Sequence, residues 1–377
     1  MSQLRGKKVF AYYFPNWHID PLNEKWHGPG WTEWNLVKCA TPRFPGHKQP
    51  KVPRWGYGDE ADPGEMARKI DTAVKHSVDG FIFDWYYYSS GPYRNRCLEE
   101  GFLNAPNVHE TEFAVMWCNH SAIQAHPGSR MFPTPELCSG IVDAATFRAA
   151  TEHCIRKYFP HPSYLRIDGK LYFSIYSLEK MVNELGGIAA ARELFDDFRY
   201  RVMKAGLGEL HLNAVNLENL AAPEKTDPSR VNALTGGLGI DSRSGHSWTW
   251  TEPDFPCRKY ALVAESNTSK YTHYTQDFDL PYNPSILVGW DPSPRTVQSE
   301  IYENIGYPFT SILSGNTPEE FEKVLRQMRD FMTSEIYTGD LLFLHSWNEW
   351  TEGTYLEPDE ENGLGYLEAV HRVFQNK

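Results

Sequence analysis

The 377 residues hold six scattered cysteines, Cys39, Cys97, Cys118, Cys138, Cys154 and Cys257, with no C-x-x-C pair and no histidine partner at zinc spacing. That pattern argues against a disulfide framework and a structural zinc site, and reads as free thiols in a reducing compartment. Basic residues are also short: 37 Lys and Arg face 49 Asp and Glu, a formal net charge of −12. Polyanions are normally met by clustered Lys and Arg, so nucleic acid is not an expected partner. No stretch approaches the roughly 20 apolar residues of a membrane helix. The first strand is expected to start near Lys8, leaving no room for a signal peptide, so the expectation is a cytoplasmic protein unless a leader has been removed. Phosphate-binding glycine loops, H-E-x-x-H, calcium loops and nucleophilic-serine elbows are missing. The Asp277-Phe278-Asp279 triplet is too short a pattern to signal a cation site, and no metal or cofactor is expected.

Aromatics, in contrast, are plentiful. The 12 Trp and 21 Tyr exceed what packing calls for, and flat amphipathic rings suit sugars, whose C–H faces stack on them. Short apolar runs bounded by turn residues recur along the chain. They are Val9–Phe14, Gly80–Tyr86, Phe113–Asn119, Leu171–Tyr176, Leu210–Val215, Ser285–Asp291 and Leu341–Trp347, with a weaker sixth member at Asn232–Leu234 or Gly239–Asp241. Helical patterns lie between them. Asp62 followed by Pro63 marks one N-terminus, and Thr146–Tyr158, Gly187–Met203 and Pro318–Met332 carry similar periodicity. Eight strands separated by helices predict an α/β protein, a single-domain (β/α)8 TIM barrel over residues 1–377 with long strand-to-helix loops. A doubly wound sheet would carry a glycine-rich turn after the first strand, where this chain has Phe14-Pro15-Asn16-Trp17-His18. The longest loop, Asn16 to Tyr57, is of a length usually tied to function.

Reacting groups of a barrel collect at the C-terminal ends of its strands. Those ends carry Tyr13, Asp84 with Trp85, Asn119 with His120, Tyr176, Asn216, Asp241, Trp290 with Asp291, then Asn348, Glu349 and Glu352. Glu349 and Glu352 follow a run apolar enough to be buried on both faces, and they sit among Trp347 and Trp350. If Trp350 to Gly353 makes one tight turn, positions three apart share a side, with Cβ atoms about 5–6 Å apart. Two carboxyls at roughly 5–5.5 Å suit retaining glycoside cleavage, and burial would hold a proton on one of them near neutral pH. Trp85, Trp117 and Trp290 are candidate stacking surfaces. Tyr13, Asp84, Asn119 and Asn348 are candidate hydroxyl ligands, and His120, Asp241 and the cation of Arg295 are further candidate contacts.

Larger motifs then stand out. Ala11-Tyr12-Tyr13-Phe14-Pro15, Trp26-His27-Gly28-Pro29-Gly30-Trp31-Thr32-Glu33-Trp34, Gly80 to Tyr86, Gly289-Trp290-Asp291 and Asn348-Glu349-Trp350-Thr351-Glu352-Gly353-Thr354-Tyr355-Leu356-Glu357-Pro358 run through most of the chain. Together they resemble the WbsX-type proteins, which are similar to glycoside hydrolase family 99. The resemblance implies a (β/α)8 barrel acting on an oligosaccharide or polysaccharide. By analogy with the family's endo-α-mannosidases it implies that Glu349 is the base that deprotonates a sugar 2-hydroxyl, giving a 1,2-anhydro sugar. Glu352 would be the acid that protonates the leaving oxygen. Tyr355 falls within the same closing motif as a further candidate contact. The chain departs from the family pattern at Thr351, where a histidine stands in the relatives, and at Thr354-Tyr355. WbsX-type proteins are also labelled glycosyltransferases of surface-polysaccharide biosynthesis, which gives a second functional expectation, and a non-catalytic glycan-binding barrel gives a third. Nothing in the pattern sets an oligomeric state.

Overall fold

The computed structural model describes residue 4 and residues 6–217, 227–250 and 254–377. Nine strands lie along one hydrogen-bonded path: β1 (Lys8–Tyr13), β2 (Gly80–Tyr88), β3 (Glu112–Trp117), β4 (Lys170–Ile175), β5 (Leu210–Val215), β6 (Ser242–Ser244), β7 (Tyr282–Asn283), β8 (Ser285–Leu287) and β9 (Leu341–His345). Their spatial order is β7-β6-β5-β4-β3-β2-β1-β9-β8, and these neighbours pair in parallel. Only Pro284 separates β7 from β8 in the chain. The two ends of the path are therefore halves of one barrel position, the first paired with β6 and the second with β9. Proline has no N–H to give to a ladder, which is why the strand switches partner there. Its carbonyl still accepts from Phe343 N at 2.9 Å.

Helices α1 (Pro63–Lys75), α2 (Ala144–Lys157), α3 (Ile188–Lys204), α4 (Pro228–Leu238) and α5 (Pro318–Met332) lie between strands. Their starts follow local chemistry. Asp62 accepts from the N–H groups of Gly64 and Glu65 at 2.7 and 3.0 Å, Asp143 from Thr146 at 2.7 Å, and Thr317 from Glu320 at 3.4 Å. The loop of residues 16–57 contains two short helices, Pro21–His27 and Trp34–Cys39.

The expected sixth strand needs correction. Residues 232–234 belong to α4, and the strand begins after Asp241 instead of ending there. The carboxylate of Asp241 accepts from Leu212 N at 2.9 Å, beside His211 and Asp340, at the end of the barrel where strands enter. Asp241 is thus remote from the strand mouths.

Strand alternation decides what each side chain meets. On β2, Phe81, Phe83 and Trp85 point outward to the helix layer, where both phenylalanine rings meet Phe102 edge-on and the Trp85 indole donates to Tyr158 at 3.2 Å. Asp84, Tyr86 and Tyr88 point inward. The same alternation turns Tyr13 outward to α1, where its hydroxyl donates to Glu60 at 3.0 Å and accepts from Lys69 at 2.8 Å.

Lys69 belongs to a buried network beneath the last strand. Its ammonium pairs with Glu357 at 2.8 Å, and the two residues are 5% and 4% exposed. Glu357 also accepts from the indoles of Trp347 at 3.0 Å and Trp350 at 2.8 Å. Removing one member of a buried ion pair strands the other and usually costs about 3–5 kcal/mol. Lys69→Met should therefore lower unfolding stability by about that much in urea titration, whereas Lys75→Met, at an exposed pair, should cost less than about 1 kcal/mol.

Candidate active site

At the C-terminal mouth of the barrel lies a cleft of about 430 Å³, lined among others by Phe14, Asp84, Tyr86, Arg94, His120, Trp290, Arg295, Glu349 and Glu352. The closing segment builds its most acidic wall. After β9 the chain forms a two-residue hairpin in which Asn348 opposes Tyr355 and Glu349 opposes Thr354. Its tip is the 3₁₀ turn Trp350–Glu352, ended by Gly353 at φ 64°. Only glycine fits at this tip, because a Cβ on Gly353 would come 2.6 Å from that of Asp291. The turn directs Glu349 and Glu352 to the same side.

One guanidinium organises both carboxylates. Arg295 is 4% exposed, and its Nη2 donates to Glu349 at 3.2 Å while its Nη1 donates to Glu352. Nη1 also reaches the Tyr307 hydroxyl at 2.6 Å, which in turn donates to Glu352 at 2.8 Å. On its other edge, Nε contacts Glu33 at 2.9 Å and Thr351 Oγ1 at 3.0 Å. Thr351 itself donates to Glu33 and so links the glutamate turn to the long loop.

These surroundings separate the acidities. Burial raises Glu352, the neighbouring Glu349 raises it further, and Arg295 only partly offsets them, leaving it at about 7. Glu349 is likewise raised by burial against the pull of Arg295. Burial also opposes ionisation of Glu33, but Arg295, His126 and Arg94 overcome it and hold this carboxyl at about 2. Asp84 is pushed well above the usual carboxylate range, first by burial and then by Glu349, and its Oδ1 has no partner among the described residues. Two imidazoles meet at the cleft floor, His246 and His345, with ring centroids 4.3 Å apart. Burial holds His345 down to about 4 and His246 well below its ordinary value, so both are neutral at pH 7. Both nitrogens of His246 and Nδ1 of His345 lack partners among the described residues, leaving them able to meet hydroxyl groups in the cleft.

The candidates from sequence divide cleanly. Glu349, Glu352, Asp84, His120, Trp290 and Arg295 line the cleft, as does Tyr176. Trp85 and Trp117 do not, because they occupy outward positions on β2 and β3; the cleft takes Asp84, Tyr86 and Tyr88 from β2 and Cys118 just after β3. Tyr13 is committed to Glu60 and Lys69. Asn119 joins two loops, exchanging bonds with the backbone of Ser177 at 2.9 and 2.8 Å. Asn348 does the same for Phe14 at 3.0 and 2.8 Å. Tyr355 stacks on Trp350 with centroids 3.8 Å apart, donates to Asp359, and faces a separate hollow of about 350 Å³ beyond Trp290. Asp241 lies at the far end of the barrel. Sequence reading did not single out Arg94, Tyr307, His126, His246 or His345 as site residues. Glu33 stood within a quoted motif, but its pairing with Arg295 spans 262 residues.

Among the described residues no group of three or more His, Cys, Asp and Glu has a metal-binding arrangement, and no helix is long and apolar enough to cross a membrane. In overall fold the chain is similar to a family 99 endo-α-mannosidase from Bacteroides thetaiotaomicron in complex with bis-tris-propane, with a TM-score of 0.61 and 15% identity over 97% of this chain and 96% of that one. A glycoside hydrolase-like protein matches with the same TM-score and identity, over 98% and 94%. In sequence, the uncharacterized protein WxcX of Xanthomonas campestris pv. campestris is 23% identical over 97% of this chain but 49% of its own length. The chain thus spans about half of that relative. The family model described as glycosyltransferase WbsX matches residues 9–370, nearly end to end, and the chain belongs to that family.

Proposed function

We propose that residues 1–377 act as one catalytic unit, a retaining glycoside hydrolase for α-mannoside-like or related glycans that works without a metal. The observation that carries this reading is the pair of buried carboxyls held by opposite nitrogens of Arg295 in a cleft, one of them protonated up to about pH 7. An acid and a base are thereby available together, which glycosidic cleavage requires.

In the proposed sequence Glu349 removes the proton from the sugar 2-hydroxyl, and O2 attacks the anomeric carbon. Glu352 gives its proton to the departing oxygen, so one C–O bond forms as another breaks. Water then opens the 1,2-anhydro sugar, with Glu352 taking the water proton and Glu349 returning its own to O2. Arg295 fixes the aim of both carboxyls. Trp290 gives an aromatic wall for the sugar, and Asp84 and the neutral histidines give hydroxyl partners.

The family description favours a second reading, transfer from a sugar nucleotide. The two part in an activity screen of the metal-stripped protein against a glycan panel and against sugar nucleotides with acceptors. Sugar released from glycans supports the hydrolase, and product made only from sugar nucleotides overturns it. Glu349→Gln and Glu352→Gln should each lower kcat on the order of 10²–10⁴-fold with thermal unfolding unchanged, since each removes a proton-transfer group. The rate should also fall as pH rises through about 7, where Glu352 loses the proton it donates. A pH–rate profile unchanged in Glu352→Gln would assign that limb to another group.

A further inference from the structure

Arg94 is the cation in the cleft that the proposed chemistry leaves unused. It is 8% exposed, lines the cleft, and forms no ion pair with a carboxylate among the described residues. Its Nε is buried without a hydrogen-bond partner. The guanidinium lies among aromatic rings, 5.1 Å from the centroid of Phe14, 5.0 Å from Tyr86 and 4.7 Å from Tyr93. Tyr88, whose buried hydroxyl also has no partner among the described residues, lines the same part of the cleft. The backbone is arranged to hold Arg94 there. Gly91–Tyr93 folds back antiparallel on Tyr86–Tyr88, and Arg94 follows at φ 58°, a left-handed conformation uncommon outside glycine, with its N–H on Asp20 at 3.1 Å.

From this placement we infer that Arg94 marks a subsite for a sugar carboxylate, so that the glycan bound in the cleft carries a uronic acid. A buried guanidinium with no carboxylate in direct contact is costly, and a planar carboxylate meets its fork with two parallel bonds. The nearby acids do not supply that anion. Glu33 bonds directly to Arg295 and acts on Arg94 only through its longer-range field, and the Asp20 carboxylate takes the backbone N–H of Arg94, not its guanidinium. With Arg295 already committed to three carboxylates, Arg94 offers one uncommitted positive charge, which matches the one charge of a carboxylate more closely than the two of a phosphate. The inference deepens the glycan reading above and rests on it for the sugar.

The test is calorimetric binding of glucuronosyl, galacturonosyl and mannuronosyl disaccharides to the Glu352→Gln protein, each beside the same disaccharide with its carboxyl reduced to hydroxymethyl. Cleavage of the same panel by the unmutated protein runs in parallel. At least one acidic disaccharide should bind at least about 30-fold more tightly than its reduced form. Arg94→Gln should bring that ratio to within about threefold, and Arg94→Lys should keep part of it. If no acidic sugar outbinds its reduced form, if Arg94→Gln weakens both equally, or if phosphorylated sugars outbind every uronate, the assignment is wrong. Should Arg94→Gln fail to fold, the comparison of acidic with reduced sugars on the folded protein decides alone. Acid-specific binding dependent on Arg94 but without cleavage would defeat only the hydrolase reading. Cleavage of neutral glycans with no preference for acid would defeat only this one.

Discussion

A single buried carboxylate, that of Glu357, connects the catalytic-looking turn to the rest of the barrel. It meets the indole N–H groups of Trp347 and Trp350 and the ammonium of Lys69, so it anchors the residues on both sides of Glu349 to helix α1. Each of these donors is buried and would be expensive to leave unpaired. The carboxylate is held in turn by its place in the chain, since Glu357 N reaches back to Trp347 O at 3.1 Å. The glutamate turn therefore rests on a network that is satisfied at each of these contacts, and a rigid support of this kind holds the two carboxyl side chains in a fixed orientation.

Above that support, charge is distributed unevenly, and the unevenness creates chemistry. Arg295 meets three carboxylates at once, but it does not treat them alike. Glu33 stays ionised in the guanidinium's field, whereas burial raises both Glu349 and Glu352, and the neighbouring Glu349 lifts Glu352 further, to about 7. Neutral histidines and an Asp84 oxygen add buried polar groups with no hydrogen-bond partner among the described residues. Arg94, across the same space, makes no direct ion pair with a carboxylate among the described residues.

Much of this architecture was legible beforehand because it depends on local signals. The apolar runs and their flanking turns located β5 and the starts of β2 and β8 where the ladders have them, and Asp62 with Pro63 marked a helix start through capping chemistry. The short sixth strand escaped because Ser242-Arg243-Ser244 is polar. Its serines point to partners such as Asn213, which accepts from Ser242 at 2.9 Å and donates to Ser244 at 2.9 Å, in place of an apolar core. Trp85 and Trp117 miss the cleft by one position: Trp85 stands beside Asp84, and Trp117 beside Cys118, yet a strand's two-residue period sends neighbours to opposite faces.

The order of residues along the chain is enough to set the alternation of strands and helices and the glutamates three apart, because each rests on contacts within a few positions. Which groups share the cleft depends on the closed barrel. Arg295 meets Glu33 across 262 residues and Glu349 across 54, Glu357 finds Lys69 on a different element, and Arg94 comes to face the glutamates from a hairpin near the start of the chain. Burial, which sets the acidity of Glu352 and the neutrality of His246, is likewise a property of the packed molecule and of no segment by itself.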